Sequence, residues 1–119
     1  MTEATDLALR FITAVADSDF EAMRACYAPN VRIWHSTDRA WQNADENIKA
    51  ARGTLGAVKG FRYGDARITA TETGALVQAS LRGRLGGKEM DTPVCLVITV
   101  AEGLVVQAEE YIDQGHLPR

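Results

Sequence analysis

The sequence predicts an α+β fold in which three N-terminal helices pack on a strongly curved antiparallel sheet and enclose a pocket. Helical spacing of apolar residues is confined to the first half of the chain, whereas the second half consists of β-like runs separated by turn residues. The length of 119 residues, with 46% hydrophobic and 24% charged residues, suits one globular domain spanning 1–119.

The N-terminal region predicts two helices. Apolar residues recur at helical spacing over residues 5–17, which indicates an amphipathic helix. Ser18 and Glu21 have the spacing of a capping box, so a second, short helix is expected from Asp19 to the Pro29-Asn30 pair. It would bury Phe20, Met23 and Tyr27.

A short strand and a third helix are expected next. Residues 31–35 alternate in character, which predicts a strand with Val31, Ile33 and His35 on one face. The polar stretch 36–42 reads as a loop. Asn43 is a suitable N-cap with Glu46 three residues later, and Gly60 is a natural end for the helix that follows.

The second half of the chain predicts a four-stranded meander. Its strands are expected at residues 61–71, 75–85, 88–100 and 104–113, and Gly86-Gly87 is a strong hairpin signal. A small sheet of long strands with glycine kinks curls, and helices can fill its concave side. The space left at the open end would form a pocket for a small, largely apolar molecule.

The run at residues 94–100 is apolar on both faces. One face meets the helices, and the other requires a cover, since large exposed apolar patches usually mark an interface. We therefore expect a homodimer through the outer face of the sheet.

Composition argues against several other classes of protein. The net charge is −3 without a basic stripe, so nucleic acid is not an expected partner. No apolar run approaches the roughly 20 residues of a membrane span, and residues 1–10 lack the apolar core of a signal peptide. Cys26 and Cys95 read as reduced core thiols, which fits a cytoplasmic protein. Neither a metal site nor a cofactor is predicted, because metal-ligand spacings and a phosphate loop are missing from the sequence.

Two segments resemble a known superfamily. They are FEAMRACYAPNVRIWH at residues 20–35 and EGLVVQAEEYID at residues 102–113. Both are similar to the nuclear transport factor 2-like superfamily, which includes SnoaL-like polyketide cyclases, ketosteroid isomerase and limonene epoxide hydrolase. With the order of elements, the resemblance covers nearly the whole chain and implies a cone-like α+β barrel. This fold hosts enzymes and non-enzymes alike, so the resemblance leaves the activity open.

The resemblance to ketosteroid isomerase places His35 at the position of that family's aspartate base and Tyr27 at a pocket tyrosine. Phe11 falls on the family's oxyanion tyrosine and lacks the hydroxyl, and strand 94–100 offers no second oxyanion acid. Loss of such donors raises a reaction barrier by several kcal/mol. Steroid isomerisation by that mechanism is therefore not expected.

The resemblance to limonene epoxide hydrolase places Glu110 near a catalytic aspartate on the last strand. Gln78 and Ser80 are the nearest equivalents of that family's arginine and aspartate on a middle strand. The Asp–Arg–Asp arrangement is therefore broken, which argues against epoxide opening.

His35 and Glu110 are the candidate catalytic residues. His35 shares its face with β-branched residues and should point inward, where an imidazole can exchange protons at neutral pH. The alternative is a core histidine satisfied by a neighbouring group. Glu110 shares a face with Ala108 and Ile112, and an inward carboxylate would have a raised pKa and could act as a base or orient His35.

Glu110 also has alternative interpretations. It could lie at a solvated strand end, or it could pair with Arg62, Arg67 or Arg82. A bulge in the last strand would reverse its faces and bring Tyr111 and Asp113 inward instead.

The expected ligand is a small hydrophobic molecule. Its pocket would be lined by Tyr27, Phe11, Ile33, Trp41, Gln78 and Ile112. Tyr27 and Gln78 would hold a polar group, and Trp41 would belong to a lid.

The leading hypothesis is an acid/base isomerase, cyclase or hydratase in which His35 moves the proton and Glu110 orients or assists it. The alternative is a non-catalytic ligand-binding or dimerisation module.

Overall fold

Three helices and six strands make up residues 2–118, the part of the chain that the structure, a computed structural model, describes. Met1 and Arg119 lie outside it. The helices are α1 (Glu3–Ala16), α2 (Phe20–Cys26) and α3 (Ala44–Ala57). The strands are β1 (Tyr27–His35), β2 (Ala40–Gln42), β3 (Val58–Ala70), β4 (Gly74–Leu85), β5 (Lys88–Ala101) and β6 (Leu104–Ile112), and a 3-10 turn follows at Gln114–His116.

Helix α1 fills the concave side of the sheet, as its apolar spacing predicts. Thr2 caps it, because the Thr2 side chain accepts a hydrogen bond from the Thr5 backbone N–H at 3.1 Å. Its inward residues, among them Leu7, Phe11 and Val15, are buried.

The predicted capping box at Ser18 is wrong by one residue. Asp19 is the N-cap of α2, and its carboxylate accepts a hydrogen bond from the Ala22 backbone N–H at 3.1 Å. Ser18 has a φ of 54°, a left-handed conformation that forms the tight turn after α1 and does not suit an N-cap. Helix α2 ends at Cys26, so Tyr27 and the Pro29-Asn30 pair belong to β1.

The region between β1 and β3 differs from the prediction at both ends. The expected loop at 36–42 is a hairpin, because β2 pairs antiparallel with β1 from Ile33–Gln42 to His35–Ala40. Helix α3 begins as predicted, with reciprocal hydrogen bonds of 2.9 Å between Asn43 and Glu46. It ends at Ala57, so Gly60 does not terminate the helix. It lies within β3, near an irregularity, with a φ of 65°.

The six strands form one sheet in the order β2-β1-β6-β5-β4-β3, with β2 and β3 at its edges. The predicted meander is confirmed for β3 to β6, which pair antiparallel in sequence order. Strand β1 joins the other side of β6 as a parallel neighbour, so the sheet is mixed. The helices and this sheet confirm the predicted α+β class.

Two hydrophobic clusters flank the interior of the cone. The larger one joins α1 to the middle of the sheet through Leu7, Val77, Ile98 and Val105. The smaller one contains Val58, Leu81, Met90 and Val94, with Leu117 packed against it. The space between the clusters is the cavity described below.

The outer face of the sheet carries aromatic and aliphatic side chains. The rings of Trp34 and Tyr111 lie 5.2 Å apart, and the guanidinium of Arg32 lies 4.2 Å from the ring of Trp41. Val97 is half-buried on this face. Among the described helices, none is both long and apolar enough to span a bilayer.

Candidate functional site

A cavity of about 330 Å³ lies between the helices and the concave face of the sheet. Its walls are mostly apolar, and they include Phe11, Ile33, Leu55, Phe61, Leu81 and Leu96. A pocket of this size and character suits a small hydrophobic molecule.

His35 and Glu110 lie side by side in this cavity. The parallel pairing of β1 with β6 puts the two residues directly opposite each other, with His35 Nε2 3.7 Å from Glu110 Oε1. Their side chains are only 21% and 16% exposed. The distance exceeds that of a direct hydrogen bond, so the facing atoms of both groups remain available to a ligand.

The inward position of Glu110 settles the alternatives for its strand. The irregularity in β6 lies before Gln107, and beyond it Ala108, Glu110 and Ile112 alternate inward. Tyr111 and Asp113 therefore face away from the cavity. Arg82 pairs with Asp65 and Asp91 and not with Glu110.

Burial sets the protonation of the pair. Desolvation raises the pKa of Glu110 to about 7, because the apolar cavity disfavours the carboxylate. Desolvation lowers the pKa of His35, and the nearby charge of Asp38 opposes that shift in part. At neutral pH, Glu110 is therefore close to half-ionised while His35 is mainly the uncharged imidazole.

A chain of hydrogen bonds joins three other polar residues of the cavity. The Tyr27 hydroxyl donates to Asn47 Oδ1 at 2.6 Å, and Asn47 Nδ2 donates to Gln42 Oε1 at 3.1 Å. Burial raises the pKa of Tyr27, so its phenol stays protonated and can act as this donor. The chain ties α3 and β2 to the start of β1.

Asn47, Gln42 and Tyr63 were not singled out in the sequence, although each lines the cavity. Asn47 stands one helical turn before Ala51, which would have placed it on the inner face of α3. Tyr63 alternates with Phe61 along β3, so the pair could have been recognised as an inward stripe.

Phe11, Ile33 and Ile112 line the cavity, as does Tyr27. The ring of Phe11 lies 5.6 Å from that of Tyr27 and is tilted by 47°. The α1 side of the cavity therefore presents a hydrocarbon ring without a hydroxyl. Phe11 is the residue that the resemblance to ketosteroid isomerase aligns with that family's oxyanion tyrosine.

Gln78 and Trp41 do not reach the cavity, which corrects their predicted positions. Gln78 follows the fully buried Val77 on β4, so it points to the outer face, where it lines a shallow groove with Ser80. Trp41 is 42% exposed, because β2 extends the sheet and places its ring beside Arg32.

The described residues contain no cluster of three or more His, Cys, Asp or Glu side chains that could hold a metal ion. The polar groups of the cavity are those of acid/base and hydrogen-bonding chemistry: two carboxyls, an imidazole, two phenols, two amides and two threonine hydroxyls.

Solved structures with the same architecture come from several organisms. A hypothetical protein with a ketosteroid isomerase-like fold from Catenulispora acidiphila has a TM-score of 0.83 and 9% identity, and the match covers 93% of this chain and 88% of that one. An LEH-like epoxide hydrolase from M. tuberculosis has a TM-score of 0.80 and 20% identity, covering 97% and 86%. PrhC from Penicillium brasilianum has a TM-score of 0.85 and 13% identity, covering 96% and 82%. At these identities the similarity establishes the fold alone.

No curated protein matches the sequence. The SnoaL-like domain family matches residues 8–108, which is most of the chain and includes His35 while ending just before Glu110. The chain therefore belongs to the SnoaL-like family.

Proposed function

We propose that the protein is an acid/base enzyme for a small, largely apolar molecule, with Glu110 as the base and His35 as its proton-transfer partner. The observation that carries this proposal is the separation of 3.7 Å between a carboxyl and an imidazole inside a mostly apolar cavity. Ionisable groups are costly to bury, and such pairs are concentrated at functional sites.

Glu110 suits the role of base better than His35. A general base is most effective when its pKa lies near the working pH, and burial raises the pKa of Glu110 to about 7. The uncharged His35 can donate or accept a proton through Nε2. In the proposed cycle, Glu110 removes a proton from carbon and returns it at another atom, either directly or through His35, which accepts the proton from Glu110 and then donates it to the substrate.

The inner face of β4 favours isomerisation or aldol-type cyclisation over epoxide hydrolysis. Its inward side chains are Val77, Ala79 and Leu81, and the first and last of these are buried. Aliphatic groups there cannot activate an epoxide oxygen as an arginine and aspartate would. Proton abstraction beside a carbonyl needs only the base and a hydrogen-bond donor.

Hydrogen–deuterium exchange at carbon tests the proposed chemistry. Ketones from terpenoid, steroid and aromatic polyketide classes are screened by thermal shift, and each binder is incubated with protein in D₂O. We expect the wild type to accelerate deuterium incorporation beside the carbonyl, as followed by NMR, and Glu110→Gln to slow it about 100-fold or more.

Glu109→Gln is the matched control for this exchange, because Glu109 is the neighbouring carboxylate on the outward face, bonded to Gln107 and Tyr111. It should exchange at the wild-type rate. Equal rates for Glu110→Gln and the wild type would refute the role of Glu110.

A non-catalytic ligand-binding module is the second candidate. It is favoured by Phe11, which lacks a hydroxyl, and by Leu96, which is the aliphatic partner of Glu110 on β5. Saturable binding of panel members, with deuterium incorporation no faster than in buffer, would select this module over the enzyme.

We also propose a homodimer through the outer face of the sheet. Trp34, Val97 and Tyr111 place apolar surface around Glu109 on this face, and Tyr111 is 45% exposed. Sedimentation at micromolar concentration should give a species of twice the 13.0 kDa chain mass. Val97→Glu should yield monomers, because a charge would be buried at the centre of the contact.

Leu9→Glu is the control for the dimer. Leu9 is also an exposed apolar side chain, at 44%, but it lies on α1. This variant should remain dimeric. A wild-type protein that sediments only at 13.0 kDa would rule out the dimer.

A further inference from the structure

We infer that Tyr63 is the hydrogen-bond donor that receives the substrate's carbonyl oxygen and stabilises the negative charge that develops on it. This inference rests on the proposed function, because the oxygen becomes negative only when Glu110 removes a proton from the adjacent carbon. Tyr63, on β3, carries a hydroxyl, whereas Phe11, on α1, does not.

The position of Tyr63 is fixed by its strand. Tyr63 and Phe61 alternate inward on β3, and both line the cavity. Their rings meet edge to face with centroids 5.4 Å apart, an arrangement that aromatic pairs favour. The phenol is therefore held by packing on a strand, which gives a more precise position than a loop would.

The hydroxyl of Tyr63 is free to bind a ligand. It forms no hydrogen bond within residues 2–118, whereas the Tyr27 hydroxyl is engaged with Asn47. In the described part of the chain, every fully buried side-chain nitrogen or oxygen of a non-exposed residue has a hydrogen-bond partner. The unpaired Tyr63 oxygen therefore keeps accessible surface, and its side chain lines the cavity.

The electrostatic surroundings keep this phenol protonated. Burial raises the pKa of Tyr63 well above its usual value, and the negative charge of Glu110 raises it further. A neutral phenol beside the proposed base can donate a hydrogen bond without competing for the substrate's proton. Strands β3 and β6 therefore contribute a donor and a base to one cavity.

The proposed step is balanced. Glu110 accepts the proton from the carbon next to the carbonyl, and the electron pair of the broken C–H bond forms a C=C bond while the carbonyl π pair moves to oxygen. The Tyr63 O–H hydrogen bond shortens and strengthens as that oxygen becomes an enolate. Such donors act most strongly in a site shielded from water.

Two probes of similar shape test the donor. 2-Acetylnaphthalene carries the carbonyl oxygen, whereas 2-ethylnaphthalene lacks it, and calorimetry gives the affinity of each. We expect the wild type to favour the ketone, and Tyr63→Phe to weaken ketone binding about three- to tenfold while changing the hydrocarbon affinity less than twofold. Tyr111→Phe is the matched control and should keep the preference for the ketone, because the Tyr111 hydroxyl is bonded to Glu109 on the outer face of the sheet.

Infrared spectroscopy distinguishes a hydrogen bond donated by Tyr63 from a contribution of its ring to packing alone. The carbonyl stretch of bound 2-acetylnaphthalene should be red-shifted in the wild type and in Tyr111→Phe, and the shift should be lost in Tyr63→Phe. A ketone preference and a carbonyl shift that survive in Tyr63→Phe would overturn the inference, as would a wild type that binds both probes equally.

Deuterium exchange at the acetyl group separates this inference from the proposed function. Tyr63→Phe should lower the maximal exchange rate as well as the affinity, whereas Glu110→Gln should lower the rate alone. A Tyr63-dependent carbonyl shift without any exchange in the wild type would confirm the donor and refute the base.

Discussion

Replacing Glu110 with glutamine is expected to stabilise the protein by about 3 kcal/mol at pH 8 and to leave its stability at pH 4 nearly unchanged. Burial raises the pKa of Glu110 from 4.5 to about 7 in the folded protein. Between these values the unfolded chain ionises first, so the free energy of unfolding falls as pH rises. The destabilisation by the buried carboxylate is complete above pH 7. It is absent below about pH 4, where Glu110 is protonated in both the folded and the unfolded protein.

Thermal unfolding between pH 4 and pH 8 measures this effect. The melting temperature of Glu110→Gln should exceed that of the wild type by on the order of 10 °C at pH 8 and by little at pH 4. Glu109→Gln removes the same charge from the outward face and should show no such divergence. A difference between Glu110→Gln and the wild type that does not depend on pH would contradict a desolvated carboxyl at this position.

Together, the expected stability and exchange results would identify the Glu110 carboxyl as a functional group. A variant that is more stable but exchanges no deuterium shows that the wild type keeps a costly carboxylate for its chemistry. The cost arises at the same pH at which the base becomes active, since both depend on ionisation of Glu110. The lower limb of the exchange profile should therefore rise with an apparent pKa near 7.

Replacing Gly74 with alanine is expected to destabilise the protein by about 3 kcal/mol or more. Gly74 begins β4 and lies opposite Thr99 on β5. An added Cβ would collide with the carbonyl oxygen of Ile98 and approach the backbone nitrogen of Val100 to 3.1 Å. Both neighbours belong to the hydrogen-bonded sheet, so the clash cannot be relieved by rotating a side chain.

Denaturant unfolding tests this prediction, and Gly53→Ala is its matched control. A Cβ at Gly53 would meet nothing within 4 Å, and the residue lies inside α3. Alanine there should stabilise the protein by about 0.5–1 kcal/mol, since it lowers the backbone entropy of the unfolded chain. A Gly74→Ala variant with the wild-type midpoint would show that the β4–β5 backbone can separate at this point.

Local patterns in the sequence were enough to predict several elements and the strand faces on which His35 and Glu110 lie. The helical spacing near Phe11, the Asn43 capping box and the Gly86-Gly87 hairpin each depend on residues within one or two turns of one another. The inward direction of His35 and of Glu110 followed from the period of two within each strand. Such signals need no knowledge of distant partners.

Only the tertiary structure decided how these pieces meet. The parallel pairing of β1 with β6 brings His35 to Glu110 across most of the chain, and pairing between distant strands leaves no local signature in either strand. The inward side of β4 differs from the prediction by one residue, because Val77 is buried in the core and Gln78 lies on the outer face. A shift of one residue reverses every side chain of a strand, so the final register, and with it the free hydroxyl of Tyr63, is set by packing against the rest of the sheet.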